Sequence, residues 1–290
     1  MILALIRTLR PKQWVKNSFV AVPLFFSLRL LHPDSVLRTG AAVALFSLIS
    51  GCVYVLNDLV DVEADRAHPK KRNRPIASGA LPVGVARTFL MLAVPIVVGL
   101  SLGLAPWFAA VLSTYFVLNI AYSVRLKKVA YLDVLLIALF FILRVLAGAF
   151  AIDVVASPWL LGCTFLLALF LGFGKRTHEL VTAADARKQR AALAHYDLRS
   201  LKWILHLLAL SVVVAYAAYT QSAQTIEAFG TAALLYTVPL PAVAILRFIY
   251  LATSRKDAES PTDGMLRDPL FMSAIVLYVV STGVILYVQP

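Results

Sequence analysis

The chain reads as an all-α polytopic membrane protein. Three observations carry that reading. Hydrophobic residues fill 61% of its 290 positions and charged residues only 14%, at a mean hydropathy of +0.84. A soluble domain carries about 25% charged residues. Apolar windows near membrane length recur along the chain, and Lys and Arg gather in alternate connections. Strand-like alternation is absent, and a backbone in lipid must satisfy its own hydrogen bonds, so the windows predict helices.

The windows fall at about 18–32, 39–57, 84–104, 106–124, 131–152, 157–174, 201–221, 229–251 and 269–288, which predicts about nine transmembrane helices. Pro23 interrupts the first, so a tilted or kinked segment is expected there. The basic N-terminus and the connections at about 58–83, 125–130, 175–200 and 252–268 hold the cations, whereas the opposite connections hold only Arg29 and Arg38. The positive-inside rule then predicts a cytoplasmic N-terminus, a C-terminus on the far side and residence in a cell (inner or plasma) membrane.

The formal net charge of +12 is accounted for by loops facing an anionic leaflet, and no nucleic-acid partner is expected. One integral membrane domain over 1–290 is expected. The polar stretches after spans 2 and 6 hint at a duplicated four-helix unit. Arg7, Arg10, Lys12 and Lys16 precede the first apolar run without a small-residue cleavage site, which argues against a removed signal peptide. Cys52 and Cys163 lie far apart in apolar stretches and suggest neither a disulfide framework nor a zinc site. A homo-oligomer is compatible with the sequence, but no helix carries a decisive dimer motif.

The second span runs directly into Asn57-Asp58-Leu59-Val60-Asp61-Val62-Glu63-Ala64-Asp65. Asp58, Asp61 and Asp65 are three and four apart and share one face of a helix, with Asn57 on its flank. Carboxylates do not face lipid. Hard oxygen ligands on one face suit Mg²⁺, which keeps several waters and shares its remaining positions with substrate phosphates. His68-Pro69-Lys70-Lys71-Arg72-Asn73-Arg74-Pro75 follows, a cation cluster suited to phosphate. The plain alternative is a solvated acidic helix end followed by a basic loop.

Arg144 lies thirteen residues into span 5, and an intramembrane Arg marks a functional site or an ion pair with a neighbouring helix. Asp133 begins that span, three turns earlier, and serves either the same face or the helix N-terminus. Gly174-Lys175-Arg176-Thr177-His178-Glu179-Leu180 ends span 6. There Lys175 and Glu179 pair one turn apart, or Lys175 or Arg176 grips a phosphate with Glu179 positioning the cation or a metal. Arg10-Pro11-Lys12-Gln13-Trp14-Val15-Lys16-Asn17 is either an interfacial anchor or a site where Lys12, Lys16 and Asn17 hold an anionic headgroup. Tyr122, Arg125, Lys127 and Lys128 admit the same two readings. No Ser-His-Asp pattern, CxxC pair or dinucleotide fingerprint sits in a plausible context, and Gly172-Phe173-Gly174 is no phosphate cradle by itself.

Asn57-Asp58-x-x-Asp61-x-x-x-Asp65 at the end of the second of nine spans resembles the first aspartate-rich motif of the UbiA prenyltransferase superfamily. Most members carry a second such motif after span 6, where this chain has Lys175-Arg176-Thr177-His178-Glu179, with Asp185 and Asp197 further on. That departure counts against ordinary prenyl-diphosphate chemistry. Four blocks, at 10–17, 57–77, 144–148 and 174–180, resemble the decaprenyl-phosphate phosphoribosyltransferase branch of the arabinan pathway.

The resemblance implies a UbiA-like bundle around a central cavity open to the cytoplasm. It implies Mg²⁺-dependent transfer of 5-phosphoribose from 5-phosphoribosyl 1-diphosphate to a polyprenyl (decaprenyl-like) phosphate, with release of diphosphate. In that reading Asp58, Asp61 and Asp65 hold Mg²⁺, and Asn57 orients an acid or a donor hydroxyl. Lys70, Arg72 and Arg74, or Lys175 and Arg176, hold the donor, while Lys12, Lys16, Asn17 and Arg144 hold the lipid phosphate. The product would serve cell-wall arabinan or another glycolipid. The alternatives are an aromatic or haem-type prenyltransferase and a lipid-phosphate transporter. The transporter gives no reason for three aligned carboxylates.

Overall fold

The computed structural model describes residues 1–182, 191–254 and 261–288. Among them every regular element is helical. The order is α1 (Ile2–Leu9), a 3₁₀ segment (Pro11–Ala21), α2 (Val22–Phe26), α3 (Pro33–Val60), α4 (Val62–Ala67), α5 (Val83–Leu104), α6 (Pro106–Val124) and α7 (Leu132–Ala151). Then follow α8 (Pro158–Thr182), α9 (Leu198–Gln221), α10 (Ala223–Phe229), α11 (Pro239–Ser254), α12 (Pro261–Arg267) and α13 (Pro269–Tyr287). Helices α3, α6, α8, α11, α12 and α13 each begin on a proline, whose missing N–H and fixed φ suit the first helical position.

Eight helices among the described residues are long and apolar enough to cross a membrane, and the protein is a multi-pass membrane protein. The expected first window, 18–32, takes another form. Its chain is the 3₁₀ segment followed by α2 and a turn. A thin 3₁₀ helix fits because α7 comes very close to it. A Cβ at Gly148 would overlap the carbonyl oxygen of Val20.

The described residues gather into two compact units. One holds Met1–Lys127 with Phe140–Ala156, and the other holds Lys128–Leu139 with the residues from Ser157 onward. Helix α7 therefore contributes its first part to the second unit and its last part to the first.

In the first unit α3 packs against α1, the 3₁₀ segment, α5 and α6. Val55, Ile76, Leu81 and Ala86 form a buried cluster with Leu5 and Leu9 of α1 beside it, and this seats the 68–82 loop. Arg38 donates to the carbonyl oxygens of Leu104 (2.8 Å) and Ala151 (2.7 Å), so one guanidinium caps the C-terminal ends of α5 and α7. The outer face of α5 is apolar and bare, with Met91, Leu92, Ile96 and Leu100 exposed, as a lipid-facing helix requires.

In the second unit α8 packs on α9 and α11, and α11 on α13. Lipid gives no hydrophobic reason for helices to associate, so close contact must come from small residues and polar bonds. Gly172 faces Val134, whose Cγ1 lies 2.6 Å from where a Cβ would stand, and Gly174 faces the Phe248 ring. Arg247 makes a bidentate pair with Asp268 (2.7 and 3.0 Å), which also caps α13 by accepting from the Phe271 N–H at 3.0 Å.

Candidate active site

Helix α3 carries the acidic motif to its end. Asp61 closes it with φ −96° and ψ 9°, outside helical values, and α4 restarts at Val62. The backbone bonds Asp61 N–H to Asn57 (2.9 Å) and Asp65 N–H to Asp61 (2.8 Å) carry the ladder across the break. Asp58 and Asp65 are buried and turn the same way. Arg74 Nη1 lies 3.2 Å from Asp58 Oδ1 and 2.6 Å from Asp65 Oδ2. Arg10 Nη2 adds a second cation on Asp58 at 2.6 Å, and its guanidinium lies over Tyr54 at 5.0 Å. Asp61 turns instead to Lys127 Nζ at 2.7 Å. Asp61 therefore has a different cation from Asp58 and Asp65, although the ladder continues across the break.

Among the described residues no three His, Cys, Asp or Glu side chains converge as a metal cage. Magnesium asks for less, one or two carboxylates together with phosphates and water. Asp58 and Asp65 meet that need, because a single cationic nitrogen, Arg74 Nη1, already lies against both. Hard oxygen donors that share one cation fit Mg²⁺ as a pair, with Asp61 alongside on the next turn. Glu63 faces outward in an exposed pair with Arg66 and lies outside this group.

The other residues of the motif region fall around it. The Asn57 side chain is hydrogen-bonded to Ser123 on α6, which ties the two helices at the level of the acids. The loop that carries Arg74 is shaped by His68, whose Nδ1 accepts from the N–H groups of Lys70 and Lys71 (3.2 and 3.3 Å). Lys70 and Arg72 are exposed on that loop, as are Lys12 on the 3₁₀ segment and Lys128 after α6. Lys16 is half-buried. Tyr122 is half-buried with its ring edge-on to Phe140. Trp14 donates to the Leu9 carbonyl at 3.1 Å and so closes the end of α1.

Arg144 is 6% exposed, deep in the same unit. Its Nε donates to Asn17 Oδ1 (2.9 Å), Nη1 to the Phe140 carbonyl (2.9 Å) and Nη2 to the Tyr115 hydroxyl (3.0 Å). The rings of Phe46, Tyr115 and Phe141 lie 4.9–5.4 Å from the guanidinium carbon. Asn17 in turn donates to Ser47 Oγ at 3.0 Å. Among the described residues no carboxylate reaches Arg144, so this is no ion pair. Neutral acceptors and π faces stabilise the charge.

Asp133, Arg176 and Glu179 meet in the second unit. Arg176 is 1% exposed, with Nε 3.2 Å from Asp133 Oδ2 and Nη1 paired to Glu179. The expectation that Lys175 pairs with Glu179 must therefore be widened to include Arg176, which reaches Glu179 from one turn away. Lys175 itself is half-buried. Asp133 also accepts from the Tyr196 hydroxyl (2.7 Å), and that oxygen accepts from the Tyr131 N–H (2.6 Å). Tyr131 sits at φ 64°, an uncommon position for a non-glycine residue. Burial, and then the bond to Asp133, push the Tyr196 phenol well above its ordinary range, so it stays a neutral donor. Of the two acids after span 6, Asp197 caps α9 by accepting from the Ser200 N–H at 2.8 Å, and that bond holds its carboxyl below the usual range. Asp185 lies outside the described residues.

Reading the residues in sequence passed over Arg10 and Lys127 as partners of the acids, Ser123 as the partner of Asn57, and Tyr115, Ser47 and Tyr196. Only Arg10 and Lys127 left a signal, as cations named in the 10–17 block and in the connection after span 4. The hydroxyl partners meet their clusters from distant parts of the chain and have no local pattern.

The chain is similar to the decaprenyl-phosphate phosphoribosyltransferase of Corynebacterium glutamicum, with 32% identity over 99% of this chain and 87% of that protein. The enzyme of that name from Mycolicibacterium smegmatis is 30% identical over 99% of this chain and 93% of its own length. A solved UbiA homologue from Archaeoglobus fulgidus bound to DMAPP and Mg²⁺ shares the fold at a TM-score of 0.70, with 19% identity over 98% of this chain and 99% of that one. Residues 18–286 match the UbiA prenyltransferase family, and the chain belongs to that family of membrane transferases.

Proposed function

We propose that this transferase moves 5-phosphoribose from 5-phosphoribosyl 1-diphosphate to a polyprenyl, decaprenyl-like phosphate and releases diphosphate, with Mg²⁺ as cofactor. The names of the two near-full-length relatives support the reading. The observation that carries it is Arg144. A guanidinium is a cation by its chemistry, and with no carboxylate against it among the described residues its site prefers an anion in apolar surroundings. A lipid phosphate is such an anion. Ser47 and Ser50, which share the Arg144 network, precede Asp58 on α3 by eleven and eight residues, so the buried cation lies ~12–16 Å deeper along that helix. One unit thus offers a rim for a soluble polyanion and an interior for a lipid anion.

Asp58 and Asp65, with Asp61, would hold the metal. When bound, Mg²⁺ supplies Lewis-acid charge to the departing diphosphate. Arg74, with Lys70 and Arg72 on the same loop, binds donor phosphates, and Asn57 orients an acid or a donor hydroxyl. Lys12 and Lys16 attract the lipid phosphate, which Asn17 and Arg144 position. The anomeric carbon gains oxocarbenium character as its bond to diphosphate breaks, and a lipid phosphate oxygen attacks the opposite face. A phosphate monoester with a second pKa near ~6 is already ionised at neutral pH, so no general base is needed. Fixed charge and positioning supply the rate. The Asp133–Arg176–Glu179–Tyr196 cluster fixes the start of α7. The rim faces the cytoplasm, where a soluble phosphorylated donor is available, and cell-wall arabinan is one destination of the product.

A second reading, a prenyltransferase with a prenyl diphosphate donor, draws on the DMAPP and Mg²⁺ bound to the Archaeoglobus homologue. The test is turnover of labelled phosphoribosyl diphosphate by purified protein with polyprenyl phosphate and Mg²⁺. Label should pass into lipid, stop with chelator and stop with Asp58→Asn. No labelled lipid from folded protein across several chain lengths overturns the reading, and label from a prenyl diphosphate passing to an aromatic acceptor replaces it.

A further inference from the structure

The carboxylates of the acid cluster are already matched with cations. Asp58 is held by Arg10 and Arg74, Asp65 by Arg74, and Asp61 by Lys127. Three carboxylates meet three cations, so the cluster is charge-balanced before any ligand arrives. The arrangement is layered. The side chains of Asp58 and Asp65 are 2% and 3% exposed, whereas those of Arg10, Arg74 and Lys127 are 30%, 29% and 24% exposed. Over Asp58 and Asp65 the cations form the outer layer, whereas Asp61, 36% exposed, lies at the surface beside Lys127.

Electrostatics then sets what can bind. A divalent ion alone must displace guanidinium groups from half-buried places and leave them without an anion, which is unfavourable. A polyanion alone meets cations that are already engaged. A divalent ion arriving with a diphosphate meets neither obstacle, because the metal takes the carboxylates and the displaced cations take phosphate oxygens. We infer that Arg10, Arg74 and Lys127 are exchangeable counter-ions that pass from the carboxylates to the donor diphosphate as the metal enters. Metal and diphosphate therefore bind as one unit, and free metal is rejected. This rests on the proposed function and adds Arg10 and Lys127 to the donor-binding residues.

The local structure permits the exchange. Arg10 is the residue that ends α1, Arg74 follows the 3₁₀ turn Lys71–Asn73, and Lys127 lies in the 3₁₀ turn Leu126–Lys128. Each cation rides on a connection, so its movement breaks no long helix. Arg10 meets its carboxylate through a single nitrogen, Nη2, which leaves its other donors for an incoming phosphate. The frame does not depend on the cations, since the Asn57–Ser123 bond and the backbone bonds through Asp61 hold α3, α4 and α6 in place.

The test uses the full chain in lipid nanodiscs, with Mn²⁺ as a spectroscopically visible metal and inorganic diphosphate as the anion. Electron paramagnetic resonance reads bound Mn²⁺, corrected for the Mn²⁺–diphosphate complex in solution. Mn²⁺ should bind the wild-type protein at least ~10-fold more tightly with diphosphate than without, and diphosphate should gain the same factor from Mn²⁺. In Arg74→Gln and in Lys127→Gln, Mn²⁺ alone should bind ~10-fold more tightly than to the wild type, while its complex with diphosphate binds ~10-fold more weakly. Lys127→Gln alters the most exposed of the pairs, and its thermal unfolding midpoint verifies the fold. Loss of both affinities, or no change in either, overturns the exchange and leaves these cations a structural role. A wild-type coupling factor of one overturns it without any variant. A wild type that binds diphosphate with Mn²⁺ but fails these criteria leaves the proposed function standing. A wild type that binds neither probe overturns both.

Discussion

Among the described residues the partners of Arg144, inside the membrane part of its unit, are an amide, a carbonyl, a phenol and aromatic rings. Its planar fork reaches three separated acceptors from three nitrogens while lying against aromatic rings, whereas the donors of a lysine ammonium radiate from one nitrogen. Arg144→Lys is expected to lower kcat/KM for polyprenyl phosphate by ~100-fold, about 2.7 kcal/mol of lost transition-state stabilisation, with KM for the phosphoribosyl donor unchanged. Steady-state kinetics with each substrate varied in turn decide it, and an equal loss for both substrates would sink the assignment of Arg144 to the lipid phosphate. Tyr196 shows the opposite kind of buried group, a neutral donor committed to one carboxylate. Tyr196→Phe removes the bond to Asp133 and should cost about 1–3 kcal/mol of stability. The sign of its pH dependence follows from a phenol raised in the fold above its ordinary 10.0. The unfolded chain ionises first, so the contribution is whole below pH 10.0 and is lost as pH rises through and beyond that value. Thermal unfolding against pH should show that alkaline limb in the wild type and a weaker one in Tyr196→Phe.

Elements meet here through missing side chains as much as through present ones. Gly148 is the point where α7 touches the 3₁₀ segment, and a methyl group there would overlap the Val20 carbonyl oxygen. Gly148→Ala should therefore destabilise the protein by about 1–3 kcal/mol or more, as overpacking does. Gly99→Ala on α5, with nothing within 4 Å, should leave stability unchanged or raise it by about 0.5–1 kcal/mol. Parallel thermal unfolding in one detergent compares them, and equal midpoints would refute the close-contact account. Helix boundaries were legible in the sequence at Pro106 and Pro158, whereas α3 begins at Pro33, six residues before its expected window. The 3₁₀ form of residues 11–21 was not legible, because it answers to Gly148, more than a hundred residues away.

At the scale of the whole molecule, charge asymmetry is the property most open to test. Lys128 follows α6 in a connection rich in cations, and Arg29 precedes α3 on a connection of the opposite set. Cysteine replacing Lys128 should react with a membrane-impermeant maleimide only in inside-out vesicles, and cysteine replacing Arg29 only in right-side-out ones. Labelling from the same side would overturn the orientation and, with it, entry of the donor from the cytoplasm.

The sequence by itself determined that the chain is helical and membrane-embedded, where most helices lie, and that an acidic motif stands next to a basic loop as the candidate site. These are local properties, set by hydropathy over about 20 residues, by proline and by residue spacing. Tertiary structure alone decided that Asp61 pairs with Lys127 while Arg10 and Arg74 hold Asp58, and that among the described residues Arg144 meets neutral acceptors rather than a carboxylate. Each of those outcomes joins residues 16–127 positions apart, and only the packing of helices brings such groups together.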